Sequence, residues 1–233
     1  MRVSVIIPTL NEERTISETL ARAARSGADE IVVVDGGSSD GTVARAKSTS
    51  KAVGPLPAIH LLTAPPGRAR QMNAGAAASR GNILLFLHAD TELPDGAVAA
   101  VTRACGDVGC VGGRFDVRFD TSHGWAPVIA TLMNWRSRWT GIATGDQALF
   151  VRRDVFTRLG GFPDIPLMED IEFTRRLKRQ GRLAALRLRV TTSYRRWERN
   201  GAVGTILLMW LLRALYWLGM SPERLARLYA EVR

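Results

Sequence analysis

The first hundred residues alternate short apolar runs with segments whose apolar side chains recur at helical spacing. Continuous apolar runs predict buried strands over residues 3–7, 31–34, 59–62 and 83–87. Between them the spacing predicts helices over residues 12–25, capped by Asn11, and over residues 40–51 and 68–80. Repeated strand-helix-strand units favour an α/β fold with a Rossmann-like, mostly parallel central sheet flanked by helices.

The pattern is less regular in the second half of the chain. Strands are predicted over residues 110–117 and 147–151, and a helix over residues 169–180 that ends at Gly181. Residues 118–145 carry three tryptophans without clean periodicity, which is typical of a long loop or a helix that borders a cleft. Residues 202–220 are nearly all apolar apart from Arg213, and a new helix starts at Pro222, with an apolar stripe that extends to Val232.

Composition narrows the class of protein. The 233 residues are 46% hydrophobic and 23% charged, which is typical of a globular chain. Glycine and prolines at residues 54–57 predict a break between secondary-structure elements. Cys105 and Cys110 are the only cysteines and lack metal-type spacing, so we expect two small thiols in a reducing compartment. Met1 leads almost directly into a strand, so we expect no secretory signal and a cytoplasmic location.

The net charge of +10 is concentrated in the last third of the chain. Residues 1–150 hold 15 Lys and Arg against 14 Asp and Glu, whereas residues 151–233 hold 17 against 8. This asymmetry indicates an anionic partner, and a basic solvated face without a partner is the alternative. Nucleic acid is not expected as the partner, because no module of stacking aromatic residues is evident.

Acidic residues follow two of the predicted strands and open a later helix. Asp35 and Asp90 stand at the ends of apolar runs, and Glu169 and Asp170 begin the helix over residues 169–180. Parallel sheets bind their ligands outside the carboxyl ends of the strands. Acidic residues gathered there indicate a metal ion and a polar substrate.

Residues 35–42, Asp-Gly-Gly-Ser-Ser-Asp-Gly-Thr, connect a buried strand to a helix. Glycines let a backbone approach a ligand closely, and Asp and Ser offer acceptors and donors for a base or a ribose. The segment is neither a GxGxxG dinucleotide fingerprint nor a P-loop. An ordinary turn would use the same residues, so the segment alone leaves both interpretations open.

Four ordered motifs within residues 3–182 resemble the inverting family-2 glycosyltransferases, which have the GT-A fold. The first two are Val-Ile-Ile-Pro-Thr-Leu-Asn-Glu-Glu at residues 5–13 and the segment at residues 33–42, and Gly-Arg-Ala-Arg-Gln-Met-Asn at residues 67–73 follows the third strand. The resemblance implies that these segments bind the nucleotide. The implied nucleotide-binding residues are Pro8, Thr9, Asn11, Glu12, Asp35, Gly37, Ser38, Asp40, Arg68, Arg70 and Asn73.

The resemblance also implies a metal site at His88-Ala89-Asp90. The family has Asp-x-Asp here, and His88 stands in place of the first Asp. Asp90 keeps a carboxylate for Mg²⁺ or Mn²⁺ on the diphosphate of the donor. His88 either ligates the metal or hydrogen-bonds a ribose or phosphate.

A Gly-Gly-Phe turn at residues 160–162 precedes Glu169 and Asp170, and in the resembling family an acidic pair in this place supplies the general base. Asp170 is the best match, with Glu169 beside it. The segment at residues 144–153 resembles the acceptor side of the site. The candidate acceptor residues are Gly145, Asp146, Gln147, Arg196 and Trp197.

The motif at residues 194–197, Tyr-Arg-Arg-Trp, is similar to the Gln-x-x-Arg-Trp motif of processive members but lacks its Gln, which argues against a polymerising enzyme. The apolar segment at residues 205–219 is too short to span a membrane and carries aromatic and basic neighbours typical of an interfacial segment. Docking on a membrane surface, packing on the domain and a homodimer interface are all left open.

The sequence therefore predicts a GT-A domain over residues 1–190, with a nucleotide-binding half at 1–105 and an acceptor half at 106–190, followed by a basic, apolar helical appendage at 191–233. The predicted function is transfer of a sugar from a nucleotide-diphosphate sugar, with UDP favoured, to an unknown hydroxyl acceptor. The whole chain is most similar to a compact bacterial subgroup linked to arsenosugar biosynthesis. The alternatives are a nucleotide-sugar-binding module at the inner membrane face, a transferase with a lipid-linked acceptor and, third, a sugar-phosphate nucleotidyltransferase.

Overall fold

One eight-stranded sheet runs through the protein, in the order β3-β2-β1-β4-β7-β6-β8-β5. The structure is a computed structural model that describes residues 1–54 and 57–231. The break between elements predicted at residues 54–57 lies partly outside the described residues. Val232, the last position of the predicted apolar stripe, lies outside them. The strands are β1 (Val3–Thr9), β2 (Glu30–Asp35), β3 (Ala58–Thr63), β4 (Ile83–Phe86), β5 (Thr91–Glu92), β6 (Cys110–Phe119), β7 (Phe150–Arg152) and β8 (Arg182–Thr192).

The four strands predicted from apolar runs form the parallel half of the sheet. β1 lies between β2 and β4, and β3 is the edge strand beside β2. Every residue of β1, β2 and β4 is buried, whereas β3 is only half-buried because it has one neighbour. Thr9 pairs with Asp35, so two of the predicted site segments leave the sheet side by side.

The second half of the sheet mixes strand directions. β7 is antiparallel to β4 and β6, β8 is parallel to β6, and the short β5 is antiparallel to β8. The strand predicted over residues 147–151 is shifted: Gly145–Gln147 forms one 3₁₀ turn and β7 begins at Phe150. The sequence analysis did not predict β8, much of which is exposed and which carries three arginines.

The described part of the chain contains ten α-helices, which flank the sheet and form the C-terminal region. They are α1 (Ile16–Arg25), α2 (Thr42–Val53), α3 (Arg68–Ala78), α4 (Ala97–Cys105), α5 (Ala126–Thr140), α6 (Arg153–Arg158), α7 (Glu169–Leu177), α8 (Arg195–Asn200), α9 (Ala202–Trp217) and α10 (Pro222–Glu231). The predicted cap of α1 is wrong. Asn11 lies outside the helix in the left-handed region at φ 54°, and Thr15 occupies the N-cap position.

Two apolar layers hold the helices against the sheet. On one face, Ile16, Leu20 and Val101 pack against alternate residues of the strands. On the other face, α3 lies so close to β1 that a Cβ on Gly75 would stand 2.5 Å from Ile6 Cγ2. Cys105 and Cys110 are buried free thiols.

The C-terminal helices pack on the domain by one face. Leu212 of α9 and Leu225 of α10 are fully buried with Ile142, Met168 and Ile171. The opposite face of α9 leaves Leu207 and Trp210 exposed. Within the described part of the chain, no helix is both long and apolar enough to cross a membrane.

Candidate active site

Asp35 organises the loop that follows β2. Its Oδ2 accepts hydrogen bonds from the Gly37 and Ser38 amides at 3.0 Å, and its Oδ1 accepts the Ser38 hydroxyl at 2.5 Å. Gly37 has φ 92°, which favours glycine. The carboxylate is thus fixed at the edge of the sheet and only 8% exposed.

The loops after β1 and β2 are joined by hydrogen bonds. The Ser39 amide donates to Asn11 Oδ1 at 2.9 Å, and the Asn11 amide donates to Ser38 Oγ at 2.9 Å. Asp40 accepts the amide and hydroxyl of Thr42, and the hydroxyl bond is the main reason why its pKa is lowered. Asn11, Ser38 and Asp40 therefore lie together, as expected from the motifs.

A cavity of about 160 Å³ lies at the carboxyl ends of β1, β2 and β3, with Thr9, Asp35 and Thr63 in its wall. Gln71 of α3 supports the strands there, because its Nε2 donates to the carbonyls of Thr9 and Val34 at 2.8 Å each. Gln71 lies inside the 67–73 motif, yet nothing in the sequence marked it out. Its side chain reaches two strands that are distant in sequence.

A chain of contacts connects the segment after β4 to the start of α7. His88 Nδ1 lies 3.2 Å from Asp146 Oδ1, and the Gly145 amide donates to Asp170 Oδ2 at 2.8 Å. The His88 ring packs so tightly on Gly145 that a Cβ at residue 145 would overlap Nε2. The structure therefore brings His88, Gly145, Asp146 and Asp170 together in one cleft.

Charges in this cleft perturb one another. Burial, followed by the charge of Asp170, raises the pKa of Glu169 to about 7. Burial opposes ionisation of Asp146, but the His88 contact and the charges of Arg196 and Arg68 outweigh it and hold the pKa of Asp146 well below its usual range. A group poised near neutrality beside one held ionised is common at functional sites.

Arg68, the first residue of α3, interacts electrostatically with these acids. Desolvation alone would lower its pKa, but the carboxylates of Glu169, Asp146 and Asp170 raise it. Arg68 as a residue is nevertheless exposed to solvent. An Arg in this place is suited to a phosphate group.

Asp90 lies half-buried two residues after His88 and forms no ion pair with any described residue. Its unpaired carboxylate has the hard oxygen atoms that Mg²⁺ and Mn²⁺ prefer, so it fits a divalent metal. No group of three His, Cys, Asp or Glu side chains able to hold a metal exists among the described residues. Other ligands would thus come from the substrate and water, since the two ring nitrogens of His88 face Asp146 and Gly145.

Two of the candidate nucleotide residues are engaged elsewhere. Arg70 forms an exposed ion pair with Asp164 at 2.9 Å. Asn73 bonds both backbone groups of Phe162, donating from Nδ2 to its carbonyl and accepting from its amide, each at 2.9 Å. These side chains join α3 to the Gly-Gly-Phe turn instead of pointing freely into the cleft.

Two of the candidate acceptor residues are also turned inward. Gln147 is fully buried and bonds Ser137 Oγ at 2.9 Å. Trp197 stacks on Tyr194 and meets Phe119 edge-on at 6.0 Å between ring centroids. The same holds for two candidate nucleotide residues. Pro8 is buried in β1, and the Glu12 carboxylate pairs with Arg195 at 3.3 Å.

A second, larger pocket of about 460 Å³ lies beside the cleft, between α5, the start of α7 and α9. The sequence pattern missed its main feature, which is that Arg136 and Arg213 line the same pocket. Arg213 had left one signal, as the only charge in an otherwise apolar segment. The residues that line the second pocket are Arg136, Trp139, Thr140, Ile142, Ile171, Lys178, Arg213 and Trp217.

Comparison with known proteins assigns the sequence to a family. The model of the family described as Glycosyl transferase family 2 matches residues 4–160. A glucosyl-3-phosphoglycerate synthase of Mycolicibacterium smegmatis is 35% identical over 97 residues, which are 40% of this chain and 32% of the relative. An undecaprenyl-phosphate 4-deoxy-4-formamido-L-arabinose transferase of Pseudomonas paraeruginosa is 33% identical over 157 residues, 64% of this chain and 46% of the relative. The matches thus span a third to a half of the length of these curated relatives.

Solved structures share the fold. A mannosyltransferase of Pyrobaculum calidifontis in complex with GDP-Man and Mn²⁺ superposes with a TM-score of 0.70 at 22% identity, covering 99% of this chain and 69% of that one. Glucosyl-3-phosphoglycerate synthase of Mycobacterium tuberculosis, in complex with Mn²⁺, UDP-glucose and phosphoglyceric acid, gives 0.55 at 20% identity, covering 81% and 70%. At these identities the likeness establishes the fold, which is GT-A as expected.

Proposed function

Because the chain belongs to glycosyl transferase family 2, we propose that it transfers a sugar from a nucleotide-diphosphate sugar to an acceptor hydroxyl, with inversion at the anomeric carbon. One observation carries the proposal. Asp170 is fixed by the Gly145 amide at 2.8 Å, in a cleft whose acids act on Arg68. A positioned carboxylate beside a phosphate-binding cation is what this reaction requires.

The nucleoside half of the donor is assigned to the loops after β1 and β2. Asp35 and Thr9 line the cavity there, and the joined loops present backbone groups of Gly37 and Ser38. The same fold binds GDP-Man in one neighbour and UDP-glucose in another. We favour UDP for this chain, on the resemblance of its base-binding motif.

Asp170 is assigned as the general base. Its carboxylate takes the proton from the acceptor hydroxyl as that oxygen forms a bond to the anomeric carbon, while the bond to the nucleoside diphosphate breaks on the opposite face. The Gly145 amide holds Oδ2, and the His88–Asp146 pair holds the Gly145 segment. Arg68 stabilises the negative charge that develops on the leaving diphosphate.

Asp90 is assigned to the divalent metal. When bound, Mg²⁺ or Mn²⁺ would neutralise charge on the leaving diphosphate as a Lewis acid. The chain offers the Asp90 carboxylate for it, and His88 is assigned a positioning role, since its Nδ1 contacts Asp146 and its Nε2 packs against Gly145. Asn73 and Gln147 are likewise assigned to positioning, because each is bonded within the protein.

A thermal-shift panel of nucleotides and nucleotide sugars tests the donor assignment. UDP with Mn²⁺ is expected to raise the Tm of the wild-type protein more than UDP alone, and Asp90→Asn should lose that difference. Asp95→Asn is the matched control, since Asp95 is an exposed acid on the turn before α4. No response to any nucleotide, with or without metal, would overturn the proposal.

Docking on an anionic membrane surface is a second proposal, favoured by the exposed faces of α5 and α9. The face of α5 exposes apolar side chains at helical spacing, from Trp125 to Trp139, and the face of α9 does so from Val203 to Trp217. Arg199 of α8 and Arg224 of α10, the helices before and after α9, are exposed and form no ion pair with a described residue. Aromatic residues with basic neighbours are typical of an interfacial segment.

The acceptor itself is unassigned by these arguments. The relatives named above do not bear on the arsenosugar subgroup, so that link stays an expectation. The two relatives have names that contain phosphoglycerate and undecaprenyl phosphate. The second pocket, which no motif described, gives an independent argument about the acceptor.

A further inference from the structure

The second pocket contains positive charge that the protein leaves unpaired. Arg136 Nε and Nη2 are buried without a hydrogen-bond partner among the described residues. Arg213 makes neither a hydrogen bond nor an ion pair with any residue the structure describes. Buried polar groups are nearly always bonded, so the Arg136 guanidinium needs an explanation, and the half-buried Arg213 lines the same pocket.

Neighbouring arginines show that the region can pair its charges. Asp116 accepts Arg114 Nη1 and Arg138 Nη2 at 2.6 Å each. Arg136, on the same helix as Arg138, forms no ion pair with any acid among the described residues. Burial, followed by the charge of Arg213, lowers the pKa of Arg136 to about 10.

The pocket adjoins the acid assigned as the base. Ile171, which follows Asp170, and Ile142 both line it. The charges of Asp170 and Asp146 act on both guanidinium groups without forming an ion pair with either. An anion bound between Arg136 and Arg213 would therefore lie next to the place where the acceptor hydroxyl reacts.

We propose that this pocket binds the phosphate of a hydroxyl-bearing phosphate ester, and that this ester is the acceptor of the reaction. The proposal rests on the proposed function for its reaction and on the pocket for its ligand. A phosphate offers several oxygen atoms to two guanidinium groups, and Lys178 at the rim adds a third positive charge. A single carboxylate would leave more of this charge uncompensated.

The walls of the pocket are suited to the rest of such a molecule. Trp139 and Trp217 line it and remain 79% and 57% exposed, so they offer apolar surface beside the cations. The same chemistry could come from two sources, a soluble polyol phosphate or the headgroup of a phospholipid. Glycerol 3-phosphate and phosphatidylglycerol represent the two, since both contain a glycerol hydroxyl and a phosphate.

Binding is measured first by calorimetry, without any donor. The wild-type protein is expected to bind glycerol 3-phosphate or phosphatidylglycerol vesicles and not to bind glycerol or phosphatidylcholine vesicles. Arg136→Gln and Arg213→Gln should each weaken that binding at least about tenfold, as loss of a charge-assisted bond predicts. Arg103→Gln, at an exposed arginine of α4, is the matched control and should bind like the wild type.

Stability separates a ligand-binding arginine from a structural one. Arg136→Gln removes no hydrogen bond to a described residue, so its Tm should equal or exceed that of the wild type. A fall in Tm together with unchanged phosphate binding would overturn the proposal. So would binding of glycerol 3-phosphate that neither substitution weakens.

Comparing phosphatidylglycerol vesicles with glycerol 3-phosphate identifies the source of the bound phosphate. Binding to phosphatidylglycerol alone supports a lipid headgroup, and binding to glycerol 3-phosphate alone supports a soluble acceptor. If UDP is displaced by glycerol 3-phosphate, the pocket holds the donor phosphates and the proposal fails. If phosphate binds through Arg136 and Arg213 but no nucleotide is bound, the pocket assignment stands and the proposed transferase function fails.

Discussion

At the scale of single residues, the acids of the cleft differ in what surrounds them. Asp170 accepts a hydrogen bond from a backbone amide, Asp146 interacts with His88 and two arginines, and Glu169 is buried near the charges of Asp170 and Arg68. Three carboxylates within one cleft cannot all be ionised without cost. Their separate environments therefore decide which one is available to accept a proton.

Asp170→Asn is expected to lower kcat by about 10²–10⁴ with little change in donor binding, because Asn keeps the shape of the side chain and loses the basic oxygen. Steady-state kinetics and nucleotide titration measure the two effects. Asp154→Asn, at an exposed acid of α6, should retain full activity. Unchanged turnover in Asp170→Asn would remove Asp170 from the mechanism.

Glu169→Gln is expected to change the pH dependence of stability. Burial raises the pKa of Glu169 to about 7 from an ordinary value of 4.5, so the folded state keeps a proton that the unfolded state loses. The wild-type free energy of unfolding should therefore fall between about pH 5 and pH 8 relative to the variant, by at most about 3 kcal/mol. Urea unfolding at a series of pH values measures the difference, and parallel curves would contradict the assignment.

At the scale of elements, close contacts set the position of α3 and hence of Arg68. Gly75 lets the helix approach β1, and Gln71 and Asn73 of the same helix bond the strand ends and the Gly-Gly-Phe turn. The sequence predicted a helix over residues 68–80 with two arginines at its start. Its three structural contacts depend on partners that the local sequence does not contain.

Gly75→Ala is expected to destabilise the protein by about 1–3 kcal/mol although alanine is the better helix former, because the new Cβ would stand 2.5 Å from Ile6 Cγ2. Gly204→Ala in α9 is the matched control. A Cβ there meets nothing within 4 Å, so this change should be neutral or stabilise by up to about 1 kcal/mol. Chemical denaturation compares the two, and equal effects would mean that α3 can move away from β1.

At the scale of the whole molecule, α5 and α9 connect the cleft to an exposed apolar surface. The first half of α5 shares a cluster with the start of α9, through Ile129 and Ile206, and the ends of both helices line the second pocket. Exposed apolar faces of this extent usually mark an interaction surface. Their continuity with the pocket relates the membrane proposal to the lipid arm of the acceptor test.

Trp210→Asp is expected to reduce the fraction of protein that floats with phosphatidylglycerol vesicles several-fold, because it places a negative charge on the exposed face of α9. Trp210 does not line the second pocket, so phosphate binding should be unaffected. Val108→Asp is the control, since Val108 is 86% exposed in the turn before β6. Equal flotation of both variants and the wild type would exclude this face as the membrane contact.

Local sequence patterns were enough to predict the parallel half of the sheet, the motif-bearing loops after β1 and β2, and the places of Asp35, Asp90 and Asp170 in the chain's elements. They were enough because apolar runs, turn glycines and motif spacing are local properties of the chain. Long-range packing sets the other features: Asn73 bonds Phe162, 89 residues away, Gln147 and Trp197 face inward, and Arg136 and Arg213 line one pocket. These features depend on which distant segments pack together, and the charge of an arginine does not say whether an acid will lie beside it.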